Sequence, residues 1–243
     1  MSDQPVVILT GASRGIGHAT VRKFAAENWR VLTISSQPFS KDCPWGGEEN
    51  HVQLDLSDLD QCERVAAELR GRIGGRLHAL INNAAISPKG PGGIRPDSLT
   101  TPVGSWLRVF NVNFFSTIIL AQGLRDPLIK AGGVIINVTS IAGSRVHPFA
   151  GSAYATSKAA LAALTRELAA DFGQHGVRVN AIAPGEIDTS ILSPGTDKIV
   201  REEIPMRRLG TPMEVAETIY FLCSPAAAYI NGAEVHINGG QHV

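Results

Sequence analysis

The stretch "LTGASRGIG" (residues 9–17) overlaps an apolar run, "VVILT" (6–10), and leads into a helical pattern that starts at residue 15. Its glycines, Gly11, Gly15 and Gly17, follow a G-x-x-x-G-x-G spacing, not G-x-G-x-x-G. Glycine allows a tight turn and lets backbone N–H groups come close to an anionic group at a helix N-terminus. An ordinary glycine-rich turn satisfies the same pattern. Placement decides between the two: ligands of open α/β sheets sit beyond the carboxyl ends of the strands, and this loop occupies the first strand-to-helix junction.

The rest of the chain repeats that alternation. Strands are predicted over 5–10, 30–34, 51–54, 78–82, 133–139, 177–183 and 233–238, rich in Val, Ile and Leu with little strict alternation. Helices are predicted over 15–28, 58–72, 105–130, 152–175 and 212–223. Leu161, Leu164, Leu168 and Phe172 form an amphipathic stripe on the fourth helix, which runs out near Gly173 and Gly176. The order predicts one domain, 1–243, of Rossmann type: a doubly wound parallel sheet of about seven strands with helices on both faces. Segments 36–50, 86–104 and 185–205 are the least regular, and long loops in compact domains are more often functional than decorative.

Composition narrows the function. Lys+Arg and Asp+Glu both number 22, so nothing favours nucleic acid or an anionic membrane. Cys43, Cys62 and Cys223 are far apart, with no zinc or dense disulfide spacing, which suits a reducing cytoplasm. The seven histidines form no metal motif, so no metal site is expected. No apolar run approaches a membrane span, and no cleavable leader pattern precedes the first strand.

"SAYATSK" (152–158) puts Tyr154 and Lys158 one helical turn apart. A nearby ammonium favours phenolate and would bring a tyrosine towards proton transfer at neutral pH. A surface tyrosine preceding a surface lysine satisfies the same spacing.

Several motifs then fall in order: "TGASRGIG" (10–17), "DL" (55–56), "NNAA" (82–85), "VNFFS" (112–116), "VTSIAG" (138–143), "YATSK" (154–158), "NAIAPGEIDT" (180–189) and "INGAEVHINGG" (230–240). Together they resemble the short-chain dehydrogenase/reductase family over essentially the full chain, most closely its 3-oxoacyl-carrier-protein reductase-like and sugar- or polyol-dehydrogenase-like members. The resemblance implies an NAD(P)-dependent enzyme that interconverts a secondary alcohol and a ketone. Tyr154 would be the proton donor or acceptor, and Lys158 would tune it and hold the nicotinamide ribose. Ser140, rather than the adjacent Thr139, would bind the reacting oxygen. Asn113, rather than Asn111, would support a proton-relaying water.

For the cofactor, the resemblance implies Gly11, Ser13, Arg14, Gly15, Ile16 and Gly17 at the phosphates and Asp55 and Leu56 at the adenine. Asn83 and Ala84 would lie along it. Pro184, Gly185, Ile187 and Thr189 would lie near the nicotinamide amide. Ser35 and Ser36 stand where an acidic residue would select NAD(H). With Arg14 nearby, NADP(H) is favoured and NAD(H) possible.

Two positions depart from the pattern: Ala85 replaces a glycine and Asn238 an acidic residue. The expected partner is a small carbonyl or alcohol substrate, with no nucleic acid and no membrane. An acyl-carrier-protein is a possible carrier, with Arg125 and Lys130 as the basic candidates. The alternatives to a general carbonyl reductase are a 3-oxoacyl-carrier-protein reductase and a non-catalytic dinucleotide-binding regulator. Apolar residues on more than one side of 105–130 and 152–175, including Phe114, Phe115, Ile118 and Ile119, together with the resemblance imply a homotetramer.

Overall fold

A computed structural model describes residues 4–39, 47–189 and 195–243. Cys43 and parts of the irregular segments 36–50 and 185–205 lie outside the described residues. The elements in chain order are β1 (Val6–Thr10), α1 (Gly15–Ala26), β2 (Arg30–Ser35), β3 (His51–Gln53), α2 (Leu59–Arg72), β4 (Ala79–Asn82), α3 (Val103–Phe110), α4 (Ser116–Gly123), α5 (Arg125–Ala131), β5 (Val134–Val138), α6 (Ser152–Gly173), β6 (Arg178–Pro184), α7 (Thr196–Glu202), α8 (Pro212–Cys223) and β7 (Glu234–Ile237).

All strand pairs are parallel, in the order β3-β2-β1-β4-β5-β6-β7. The order reverses between β1 and β4, which opens a crevice at the carboxyl ends of those strands. Buried Val, Ile and Leu side chains cover both sheet faces. Ile8, Leu32, Leu80 and Ile135 pack under α2, α4 and α6, while Val7, Leu9, Ile81 and Ile136 pack under α1 and α8. Each face buries its own apolar layer, which accounts for strands without polar alternation.

The predicted helix 105–130 is interrupted. α3 runs into a π-helical turn, Asn111–Phe115, then α4, and the chain bends at Leu124 before α5. π-turns of this kind concentrate at functional sites. The segment 185–205 was expected to be irregular and contains α7, which starts after Gly195 in the left-handed region (φ 90°). The expectation that nothing approaches a membrane span was too strict, because Val103–Gly123 is long and apolar enough by length and composition. Its Asn113, Ser116 and Thr117 are buried and polar, and Val112, Leu120 and Ala121 sit in the core, so one side of it belongs to the domain interior.

The α6 stripe packs as predicted, with Leu161, Leu168 and Phe172 buried and Leu164 against the same core. A polar chain crosses this layer: the Asn82 amide donates to Asn137 Oδ1 (2.9 Å), and the Asn137 amide to Thr165 Oγ1 (2.9 Å). Such directional bonds fix how α6 is rotated on the sheet, which apolar packing alone does less strictly.

Candidate active site

The crevice at the strand ends holds a chamber of about 470 Å³. Its floor is the glycine loop. Gly11 adopts φ 72°, and a Cβ there would lie 2.8 Å from Ala84 Cα. A Cβ on Gly17 would lie 2.1 Å from the Gly11 carbonyl oxygen. The Asn83 side chain latches this loop to the end of β4 by donating to the carbonyls of Thr10 and Gly11, both at 3.0 Å. Asn83 was expected along the cofactor through its backbone, and the structure adds this side-chain role. The first turn of α1 has no side-chain cap, and its residues Gly15, Ile16 and Gly17 line the chamber, where uncapped amides suit an anion.

The chamber wall includes Gly11, Ser13, Arg14, Gly15, Ile16 and Gly17, then Ser35, Ser36, Asp55, Leu56, Asn83 and Ala84. It continues through Ser140, Tyr154, Lys158, Pro184, Gly185, Ile187 and Thr189. Asp55 is exposed, and hydrogen bonds from the Ser57 backbone and hydroxyl hold its carboxyl below the usual range. It does not start the helix; Asp58 caps α2 by accepting from the Gln61 amide. Ser35 is buried, and its hydroxyl both donates to and accepts from the backbone of Gln37. Ser13, Arg14 and Ser36 are exposed at that end as well.

At the other end, Ser140 accepts from the Ala142 amide at 3.2 Å, which orients its hydroxyl. Thr139 points elsewhere, with its hydroxyl on the Ile182 carbonyl and the Glu234 carboxylate. Lys158 is 1% exposed and donates to the Val138 carbonyl at 2.6 Å. Burial draws its pKa down to about 7. Its ammonium lies 5.8 Å from the centre of the Tyr154 ring. The expected tuning of tyrosine by lysine is not what this structure displays. Burial pushes the Tyr154 phenol up, the Ser140 hydroxyl pulls it down, and the Glu186 charge adds to the rise.

Asn113 has its side chain committed to partners beside the chamber. Its side chain lies outside the chamber wall, where its oxygen accepts from the Ile86 amide and its nitrogen donates to the Ile86 carbonyl and Ser157 Oγ (2.9, 3.1 and 3.0 Å). That amide has no free donor for a water. Asn111 tethers the turn before α2 by donating to the Ser57 carbonyl at 3.1 Å. Ser157 bridges Asn113 to the Tyr154 carbonyl.

Several chamber residues were missed in the sequence: Lys89, Arg108, His147, Phe149 and Glu186. Only Glu186 lay inside a recognised motif, at a variable position of "PGEIDT". The segment 86–104 is shown to line the site. Ser87 and Lys89 face the chamber, and Pro88, Ile94, Pro96 and Val109 wall a second cavity of about 400 Å³. Tyr154 and Lys89 belong to both spaces. Arg125 and Lys130, the carrier-protein candidates, are exposed on α5 and line neither.

The comparisons with known proteins agree with this geometry. The family model described as Enoyl-(Acyl carrier protein) reductase matches residues 11–242. Protein FixR of Bradyrhizobium diazoefficiens is 59% identical over 98% of this chain and 87% of its own length. An oxidoreductase of the short chain dehydrogenase/reductase family from Brucella ovis, solved with a partially ordered NAD, is 54% identical (TM-score 0.85; 97% of this chain, 100% of that one). A 3-oxoacyl-acyl-carrier-protein reductase from Brucella melitensis with bound NAD is 31% identical (TM-score 0.87; 100% of this chain, 92% of that one). With the glycine loop, the Ser140–Tyr154–Lys158 chamber and these likenesses in agreement, the chain belongs to the short-chain dehydrogenase/reductase family of NAD(P)-dependent oxidoreductases acting on CH–OH groups.

Proposed function

We propose that this enzyme interconverts a secondary alcohol and a ketone, with Tyr154 as the group that gives or takes the proton on the reacting oxygen. The observation that carries this reading is the meeting of Ser140, Tyr154 and Lys158 at one end of a chamber whose other end is the glycine cradle. The fit of a dinucleotide rests on the uncapped amides of α1 and on the close backbone approach that only glycine permits at Gly17. The nicotinamide, when bound, supplies or accepts the hydride.

The remaining work falls to this chain. In the reducing direction, Tyr154 donates its proton to the oxygen as negative charge develops there. Ser140, its oxygen already accepting from Ala142, turns its hydroxyl hydrogen to the same oxygen and stabilises it. Lys158 replaces the proton lost by Tyr154 from a position screened from bulk water and holds the ribose. A pKa of about 7 suits a group that must both carry and release a proton at neutral pH. Asn113 is a positioning residue: it fixes Ile86 and, through Ser157, the turn of α6 between Tyr154 and Lys158.

NADP(H) is the favoured cofactor of this reading. Ser35 and Ser36 offer no carboxylate to repel a 2′-phosphate, and Arg14 is exposed at the same end. NAD(H) is the second possibility, favoured by the NAD in the 54% identical relative. A homotetramer is part of the same proposal. Val103 (72% exposed), Leu107 (58%) and Phe115 (40%) leave a long apolar face along α3 and the π-turn.

The test is NADPH oxidation with a panel of ketones, 3-oxoacyl thioesters and keto-sugars, by wild type and Tyr154→Phe. Phe keeps the ring and removes the proton. Turnover should fall by about 10²-fold or more while cofactor affinity, measured by calorimetry, stays. Near wild-type rates in Tyr154→Phe would refute the assignment. Tight cofactor binding with no turnover of any carbonyl by wild type would favour the regulator.

A further inference from the structure

The chemistry assigned to Ser140, Tyr154 and Lys158 leaves a buried pair in the same chamber without a task. His147 follows β5 and Glu186 follows β6. Their side chains are 9% and 10% exposed, with Nε2 and Oε1 2.6 Å apart. The Phe149 amide donates to His147 Nδ1 at 3.2 Å. Nδ1 is therefore an acceptor, which puts the ring proton on Nε2, where it is donated to Glu186. That bond occupies Oε1 and aims the carboxylate. Among the described residues, no group donates to Oε2.

With no donor among the described residues and without being sealed from solvent, Oε2 is open to a bound molecule. Glu186 lines the same chamber as Tyr154 and stands within electrostatic range of it. What belongs there is a hydrogen-bond donor carried by the substrate. Charge decides which donor. Lys89 lies within the same range of Glu186 and donates to the Phe149 carbonyl, so the carboxylate already has a cationic neighbour. A second cation would leave the space around Tyr154, Lys89 and Lys158 with excess positive charge. A neutral hydroxyl satisfies Oε2 at no such cost.

We propose that His147 and Glu186 recognise a hydroxyl on the carbon next to the reacting one, so that the preferred substrates are α-hydroxyketones or, in the oxidising direction, vicinal diols. This rests on the alcohol–ketone reading above. On the opposite side of Tyr154, the apolar cavity walled by Pro88, Ile94, Pro96 and Val109 takes the remainder of the molecule.

Three isosteric ketones test the proposal: 1-hydroxyoctan-2-one, nonan-3-one and 1-aminooctan-2-one. They share the carbonyl and the alkyl tail and differ only in the group offered to Glu186. The readout is kcat/KM with saturating NADPH. Wild type should favour the hydroxyketone over nonan-3-one by about a hundredfold or more, because a polar site built for a hydroxyl rejects the analogue lacking it. Glu186→Gln keeps the shape and the contact with His147 but removes the charge, and should cut that preference at least about tenfold. A merely structural pair would lower all three rates together and leave the ratio alone.

Equal kcat/KM for the hydroxyketone and nonan-3-one in wild type overturns this inference and leaves the alcohol–ketone reading standing. A preference for the aminoketone overturns the choice of hydroxyl. An unchanged ratio in Glu186→Gln overturns the role of the pair. Turnover of none of the three by wild type defeats the proposal together with the reading beneath it.

Discussion

Replacing Lys158 by methionine should separate the stability of this enzyme from its activity. The ammonium is almost fully enclosed and, among the described residues, hydrogen-bonded only to the Val138 carbonyl. Burial takes its pKa from 10.5 to about 7. Between those values the unfolded chain holds a proton that the native state has released, so native stability rises with pH across the window. Above 10.5 the cost is gone, and below about 7 both states are protonated and the cost is constant.

At about 1.4 kcal/mol per pH unit, the interval corresponds to about 4 kcal/mol of destabilisation at pH 7. Methionine keeps the length and the apolar volume and carries no charge. It also leaves the Val138 carbonyl without this donor, at a cost of about 1–3 kcal/mol. The variant should therefore be about 1–3 kcal/mol more stable than wild type at pH 7. The carbonyl term does not titrate, so pH isolates the charge: the advantage of the variant should shrink by about 2 kcal/mol between pH 7 and pH 9. Urea unfolding of the cofactor-free protein, followed by tryptophan fluorescence at one protein concentration, measures this. Turnover should be lost in the same variant. A difference in stability that stays constant from pH 7 to pH 9 would refute the argument, whatever its sign.

Arg14→Ala should lower the ratio of kcat/KM for NADPH over NADH by about tenfold, the worth of one charge-assisted hydrogen bond to a phosphate; a ratio that favours NADH in wild type and does not move in the variant would remove Arg14 from the site. Gly17→Ala should destabilise the protein by about 1–3 kcal/mol or more and weaken dinucleotide binding in calorimetry, because the new Cβ would press on the Gly11 carbonyl at 2.1 Å. Light scattering at micromolar protein should give the mass of a tetramer, and Leu107→Glu, which puts a charge on the exposed face of α3, should yield smaller species; a monomeric wild type would contradict the proposal.

The parts of the molecule that repeat a physical rule were legible in the sequence. Apolar runs covered on both faces marked all seven strands to within a residue or two, and the helix predicted over 212–223 coincides with α8, whose start carries a Thr211–Glu214 capping box and Pro212. The break at Leu124 was not legible, because the apolar pattern of 105–130 continues across it. α7 was hidden in a segment read as irregular, where its N-cap is Gly195 rather than a side chain that caps the helix. Within the site, glycine spacing and Y-x-x-x-K are local and were read directly. His147 and Glu186 are 39 residues apart, and only the neighbouring ends of β5 and β6 bring them together. Asn113 was identified from a motif, but the partners that occupy its amide come from two other elements, which no local pattern displays.

The way the segment after β4 is fastened bears on how this enzyme can change. Asn113 grips Ile86 at one end, while at the other the Arg95 guanidinium donates to the Ala150 carbonyl (2.8 Å) and Pro96 accepts from the Ser152 amide (3.0 Å). Both fastenings lead to the helix that carries Tyr154 and Lys158. Between them runs "SPKGPGGI", with Gly92 and Gly93 in left-handed turns and open space around both. Insertions and exchanges in that span would remodel the wall of the second cavity while the anchors keep the reacting groups in register. The molecule is thus divided into a fixed reaction frame and a replaceable insert, and new substrates can be acquired in the insert without rebuilding the chemistry.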